Sequence, residues 1–355
     1  MGPFLASQTP KITSFFNSSQ NDVQKKTEHI YSLRNILKRH RYPQMVCLQE
    51  VKINPKDEAT KRALDKAANS NPGDMNGNEK AEPVYKAYFS LPRDKHNARG
   101  FGGKVHGVCT LLRTDILNIS PQDSNSASDG KEVQTREVDW DLEGRALITE
   151  FKKWKLAVVN GYWVNGTMNP YRDPETGDVV GTRHDRKRAF HSSVLQEVKK
   201  YENKGWEVVL IGDMNVARDE RDGYPGIRLG AEHVANRRDF NNKFFEDGEG
   251  LRGVDTWRLF WGDRRGYTYH GEREEEWGRS CDRVDLGIVT RGLVGEGERT
   301  GEKEGGPKEG GARVVGAEIF ESVDDRGHSD HVPISVVLDV GNSGSKGGER
   351  HVIDS

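Results

Sequence analysis

Short, nearly unbroken apolar runs punctuate this chain, and polar residues stand at one end of each. Val46-Cys47-Leu48 leads into Gln49 and Glu50, and Leu156-Ala157-Val158-Val159 leads into Asn160, Gly161 and Tyr162. Val208-Val209-Leu210-Ile211 leads into Gly212, Asp213, Met214 and Asn215. A fourth run, Leu286-Gly287-Ile288-Val289, follows Arg283, Val284 and Asp285, and Ile334-Ser335-Val336-Val337-Leu338 follows Gly327-His328-Ser329-Asp330-His331-Val332-Pro333. Continuous Val, Ile and Leu over so few residues reads as buried strand. Strands that deliver Glu, Asn, Asp or His at an end predict one shared sheet edge.

Composition adds a second element to this picture. Of 355 residues only 33% are hydrophobic, and 40 are Gly, so the packed core is smaller than the chain and sizeable insertions are expected. Polar, Gly-rich or Ser-rich stretches near 57–83, 121–136 and 292–313 account for the dilution. The first of them can form a helix through Ala59 to Ala68. The expected organisation is an N-terminal loop over 1–27, one domain over 28–340 interrupted by the insertions, and a frayed tail over 341–355.

Each polar run end, taken singly, is explained equally well by a turn or a capped strand. The ordered set points to chemistry. Asp330 beside His331 suits phosphodiester cleavage, which calls for a divalent cation and for stabilisation of charge on non-bridging oxygens.

The succession Leu48-Gln49-Glu50, Asn160 with Tyr162, Gly212-Asp213-Met214-Asn215, Asp285, and Ser329-Asp330-His331 resembles the endonuclease/exonuclease/phosphatase superfamily over nearly the whole chain. It looks most like the exodeoxyribonuclease III and AP endonuclease branch, in a fungal-type group with long insertions. The resemblance implies an α/β fold, a four-layered sandwich of two facing, mostly antiparallel sheets flanked by helices. It also implies a DNA phosphodiesterase of repair type that uses Mg²⁺, with Mn²⁺ as a substitute.

By the same resemblance Glu50, Asp330, Asp213 and Asn215 are the expected metal-binding residues, with Glu50 as the direct ligand and Asp330 sharing the metal directly or through water. Asp213 is expected to orient and deprotonate the attacking water, Asn215 to fix that water or the phosphate, and His331 to donate to a phosphoryl oxygen while Asp285 holds its imidazole. Tyr162 and Asn165 match an Asn-x-Tyr-x-x-Asn pattern that contacts phosphates, and Asn160 braces the site or meets the substrate. Trp257 and Arg258, within Asp255-Thr256-Trp257-Arg258, together with Tyr269 and Arg283, are further substrate contacts by resemblance, although Trp257 fits a core position as well. His270 is expected near the DNA edge. The glycines of Arg99–Gly107 allow close approach to a substrate or simply a hairpin loop.

Three features complicate the picture. A formal charge of −2 gives no general basic surface, so DNA contact would rest on local runs such as Arg183–Arg188 and Lys38–Arg41, which read equally as solvated helix faces. No first strand like Ser-Trp-Asn-Val-Asn-Gly precedes Glu50, and Gly2-Pro3-Phe4-Leu5 looks like the loop after it, so the chain is expected to lack that strand. Ser280-Cys281-Asp282 precede Arg283 where abasic-site enzymes of the branch carry Trp, which leaves other superfamily phosphodiesterases and phosphatases open. A catalytically impaired relative that binds DNA or a clamp is the remaining alternative.

Residues Thr9–Phe16 resemble a sliding-clamp peptide, with Ile12, Phe15 and Phe16 as its plugs, and fit a surface loop equally well. Cys47, Cys109 and Cys281 are widely spaced and no secretory or membrane-spanning stretch is present, which reads as a reducing compartment. The DNA resemblance points to the nucleus.

Overall fold

The computed structural model describes residues 32–69, 82–98, 106–117, 132–246, 248–271, 277–295, 311–327 and 329–341, and the backbone of 352–354. Its strands are β1 Met45–Lys52, β2 Tyr85–Ser90, β3 His106–Arg113, β4 Val133–Glu137, β5 Ala146–Phe151, β6 Leu156–Tyr162, β7 Pro170–Arg172, β8 Val179–Thr182 and β9 Glu207–Asp213. They continue as β10 Gly223–Tyr224, β11 Val254–Asp255, β12 Tyr269–His270, β13 Cys281–Asp282, β14 Asp285–Val289, β15 Ala312–Ile319, β16 Ile334–Val340 and β17 Val352–Asp354. The helices are α1 Leu33–Arg39, α2 Glu58–Asn69, α3 Thr114–Leu117, α4 Arg183–Glu202, α5 Ala231–Phe244, α6 Thr256–Trp261 and α7 Val323–Arg326.

A six-stranded sheet runs in the order β11-β14-β9-β6-β5-β4. Its pairs are antiparallel except β6 with β9. Parallel neighbours need a long crossover, and α4 supplies it. Two three-stranded sheets, β1-β3-β2 and β15-β16-β17, make up the facing layer.

Side-chain alternation along the strands generates the layers. Ala157, Val159, Val208, Leu210, Leu286 and Ile288 leave the six-stranded sheet on the side of α4 and α5, where they bury Phe190, Val194, Phe240 and Phe244. Val158, Val209 and Ile211 leave it on the other side and meet Met45, Cys47, Leu112, Val314, Ile334, Val336 and Leu338 of the facing sheets. Val46, Leu48, Cys109 and Leu111 point outward again and bury Leu37 of α1 and Leu64 and Ala68 of α2. The order is helix, sheet, sheet, helix. This is the four-layered α/β sandwich expected from the sequence.

Several boundaries differ from expectation. Residues 133–136, placed in an insertion, belong to the edge strand Val133–Glu137 of the six-stranded sheet, because Val133 packs into the inter-sheet core and Thr135 bonds Thr149 across the ladder. Ala312 and Arg313 likewise open β15. Val352–Asp354 pairs with β16 where a frayed tail was expected. The helix through Ala59–Ala68 is present as α2. The expected N-terminal loop, the clamp-like peptide with Ile12, Phe15 and Phe16, the missing first strand, and the parts 70–81, 99–105, 118–131 and 296–310 of the loops and insertions lie outside the described residues. Cys47, Cys109 and Cys281 are buried and unbridged.

Candidate active site

Parallel pairing of β6 with β9 places Tyr162 beside Asp213, and antiparallel pairing of β14 with β9 places Asp285 on its other side. Three polar strand ends therefore share one edge. Gly212 makes this possible: its φ is +134°, and a Cβ there would lie 2.2 Å from the carbonyl oxygen of Gly161. Glu50 arrives from the facing sheet through a bulge, where three steps along β1 oppose two along β3 between Leu48 and Val51. Its φ of +53° turns the carboxylate out of the ladder. The Ser329–His331 segment closes the ring, with His331 bridged to Tyr269.

One cavity collects these ends, lined by Glu50, Tyr162, Asn165, Asp213, Asn215, Tyr269, Asp330 and His331 among others. Asp285 stands just behind it. Its Oδ2 is 2.6 Å from His331 Nδ1, and Thr268 Oγ1 accepts from its backbone N–H. Burial alone would strip the proton from His331, but the Asp285 carboxylate, helped by Asp213 and Asp330, lifts its pKa to about 10. His331 is thus an imidazolium at neutral pH.

Asp213 is held the opposite way. Burial first, and repulsion from Asp285 second, raise its carboxyl to about 7, although His331 and the Asn215 N–H pull downward. Asn215, itself at φ +53°, donates its backbone N–H to Oδ1 at 2.8 Å and its side-chain amide to Oδ2 at 2.9 Å. A carboxyl poised near neutrality beside a cationic imidazole is the separation that general acid–base work uses.

Glu50 is a third case. Burial raises its pKa, but His106, the Tyr162 hydroxyl and Lys52 outweigh burial and bring it to about 2. The Tyr162 hydroxyl donates to Glu50 Oε1 at 2.6 Å. Arg145 lies 5.0 Å over the Tyr162 ring and donates to the Tyr162 carbonyl, which fixes the ring from beneath.

Among the described residues no group of three or more His, Cys, Asp and Glu side chains is arranged to hold a metal ion. Hard carboxylate oxygens from a permanently ionised Glu50 and from Asp330 nevertheless face the same cavity. That donor set fits a small divalent cation, which takes one or two carboxylates and completes its shell with water.

Four expected substrate contacts are elsewhere. Asn160 is fully buried between the sheets, where its amide donates to the Cys109 carbonyl and Thr110 Oγ1 and accepts from Gln49, so it braces the strands behind the cavity. Arg283 is 1% exposed and bridges Asp222 and Asp255. Arg258 joins the same network through Asp222, and Trp257 stacks on Trp261 inside the fold. His270, expected at the DNA edge, is buried and stacked 3.8 Å from Trp277.

The basic run at α4 is not a solvated face. Arg183 and Arg186 pair with buried Glu143, and Lys187 is buried with Nζ donating to the Asn215 carbonyl at 2.7 Å. Burial lowers Lys187 to about 7 against the pull of Asp213. Sequence inspection named Lys187 only within the Arg183–Arg188 run and missed Arg228, His233, Asn236 and Arg237; all five line the cavity. A signal existed for Lys187: His184, Lys187, His191, Val194, Val198 and Tyr201 recur at three- and four-residue intervals on the buried stripe of α4.

The profile of the Endonuclease/Exonuclease/phosphatase family matches residues 17–284. This chain belongs to that family. Three solved structures share the family member's fold: the Xenopus laevis APE2 catalytic domain (18% identity, TM-score 0.52, 91% of this chain and 87% of that one), an AP endonuclease from Archaeoglobus fulgidus (17%, 0.50, 89% and 95%) and the 3′ phosphatase NExo from Neisseria bound to product DNA hairpin (15%, 0.50, 89% and 94%). Among curated proteins none matches the chain by sequence.

Proposed function

We propose that this protein is a metal-dependent DNA phosphodiesterase of the AP endonuclease or 3′–5′ exonuclease type, acting in DNA repair. The observation that carries the reading is a single cavity in which a carboxyl near neutral pKa, Asp213, shares a wall with an imidazolium, His331, held 2.6 Å from Asp285. Fold likeness to two AP endonucleases and a DNA-bound 3′ phosphatase supports the choice of DNA among phosphodiester substrates.

Asp213, once ionised, takes the proton of a water positioned by the Asn215 amide, and the water attacks phosphorus in line with the leaving oxygen. His331, with Nδ1 committed to Asp285, offers its other ring N–H to a non-bridging oxygen as charge gathers there. Tyr162 and Asn165 orient the phosphate. Glu50 and Asp330 would hold a divalent cation, Mg²⁺ or Mn²⁺, which when bound would supply Lewis-acid polarisation of the phosphoryl group. The chemistry needs no covalent enzyme intermediate.

The test is cleavage of abasic, nicked and 3′-blocked duplexes with and without EDTA. Chelation should abolish turnover, and Asp213→Asn and His331→Ala should each lower it by about 10²-fold or more. Undiminished cleavage in both variants would remove the mechanism.

A further inference from the structure

The hydrolytic steps leave part of the cavity without a task. Lys187, Arg228, His233 and Arg237 line it together with Asn236 and Asp282. Lys187 comes from α4, His233 and Arg237 lie four residues apart on α5, and Arg228 sits on the loop between β10 and α5.

This cluster is built. Arg237 donates through Nε to the Ala217 carbonyl and through Nη2 to the Arg228 carbonyl, both at 2.8 Å, so it pins the loop that presents Arg228. Asn236 Nδ2 lies 2.7 Å from His184 Nδ1, and His184 meets His233 edge to face at 5.2 Å. Arg228 is exposed, and among the described residues no carboxylate forms a salt bridge with it, whereas Arg218 and Arg221 nearby have such partners and Arg237 does not. Asp282 lies within electrostatic reach of both Arg228 and Arg237, and Asp219 and Asp222 act on Arg237 as well, so the carboxylates of this side are directed mainly at Arg237. A planar guanidinium left unpaired at the mouth of a polar cleft suits a phosphate, which it can grip with two N–H groups.

We propose that Arg228, backed by Arg237 and flanked by Lys187 and His233, binds a second phosphate of the substrate strand. The site then favours a bond that has a second charged phosphate nearby over a bond beside a hydroxyl end. This specificity rests on the phosphodiesterase reading above, but the binding step does not.

The test is calorimetric titration in EDTA of wild-type protein, Asp213→Asn, Arg228→Gln and Arg228→Lys. The probes are a nucleoside 5′-monophosphate, the 3′,5′-bisphosphate, and a 5′-phosphorylated dinucleotide whose bridging phosphate supplies the second charge internally. Wild type and Asp213→Asn should bind at least one two-phosphate probe about tenfold more tightly than the monophosphate. Arg228→Gln should reduce that ratio to below about threefold and Arg228→Lys should retain more of it. The bisphosphate and dinucleotide arms distinguish a terminal from an internal phosphate. A wild-type ratio below about threefold for both probes, or an undiminished ratio in Arg228→Gln, overturns the proposal. Wild-type protein that keeps the ratio but cleaves no DNA with Mg²⁺ or Mn²⁺ would overturn the hydrolase reading and leave the phosphate site standing.

Discussion

Asp285 Oδ2 lies 2.6 Å from His331 Nδ1 although 46 residues separate the two, and this contact fixes the charge of the imidazole at the cavity wall. Asp285 sits at the first position of β14 and is paired with Asp213, so the carboxylate that raises His331 also raises Asp213. One buried charge thus sets two pKa values in the same direction with opposite chemical results. It keeps an acid protonated and delays the ionisation of a base.

Replacing Asp285 by Asn removes that charge. The imidazole should then titrate well below about 10, and the alkaline limb of a kcat/KM against pH profile should move down with it. Turnover should fall by about 10²-fold at pH 8. An unchanged alkaline limb would show that His331 is not held by this contact.

Asp213 gives a stability signature with a definite sign. Its folded pKa of about 7 lies above the unfolded value of about 3.9, so its contribution is fully present below the unfolded value and is lost as pH rises through 7. Asp213→Asn does not titrate and escapes that loss. The melting temperature of the variant relative to wild type, measured without metal, should therefore rise between about pH 4 and pH 8. A difference that is flat across this window would contradict the raised carboxyl.

Gly212→Ala tests the junction on which the edge is built. The added methyl meets the Gly161 carbonyl at 2.2 Å in a backbone conformation that L residues avoid. Urea unfolding should show a loss of roughly 2–4 kcal/mol, and cleavage should fall more than the folded fraction does because Asp213 is displaced.

Arg283→Ala separates a structural arginine from a substrate contact. It leaves Asp222 and Asp255 buried without their shared cation, and destabilisation of about 3–5 kcal/mol is expected. Asp255 is buried, yet Arg283 and Arg218 hold its carboxyl near 2, so without Arg283 its pKa should climb and the loss should ease on acidification. Equal destabilisation at pH 4 and pH 8 would argue against this assignment.

Tyr162→Phe removes the hydroxyl that helps keep Glu50 ionised. The Mg²⁺ concentration for half-maximal cleavage should rise about tenfold, more than any change in KM for DNA. A change confined to KM would place Tyr162 on the substrate alone.

Apolar runs ending in polar groups determined, from sequence alone, which strands are buried and that their polar ends could meet at one sheet edge, because continuous Val, Ile and Leu have no stable place outside a two-sided core. Glu50, Tyr162, Asp213, Asn215, Asp330 and His331 were therefore legible before any coordinates, as was Asp285 beside them. Other assignments depended on where elements pack. Arg283 and Arg258 were expected by resemblance to contact substrate, but tertiary structure encloses them with Asp222 and Asp255. Asn160 ends a strand like its neighbours, yet it points between the sheets. Lys187 and Arg228 reach the cavity only because α4 and α5 lie side by side and Arg237 pins the loop between β10 and α5. Periodicity is a local property of the chain, whereas the partner of a charge is set by contacts between residues far apart in sequence, and only the fold specifies those contacts.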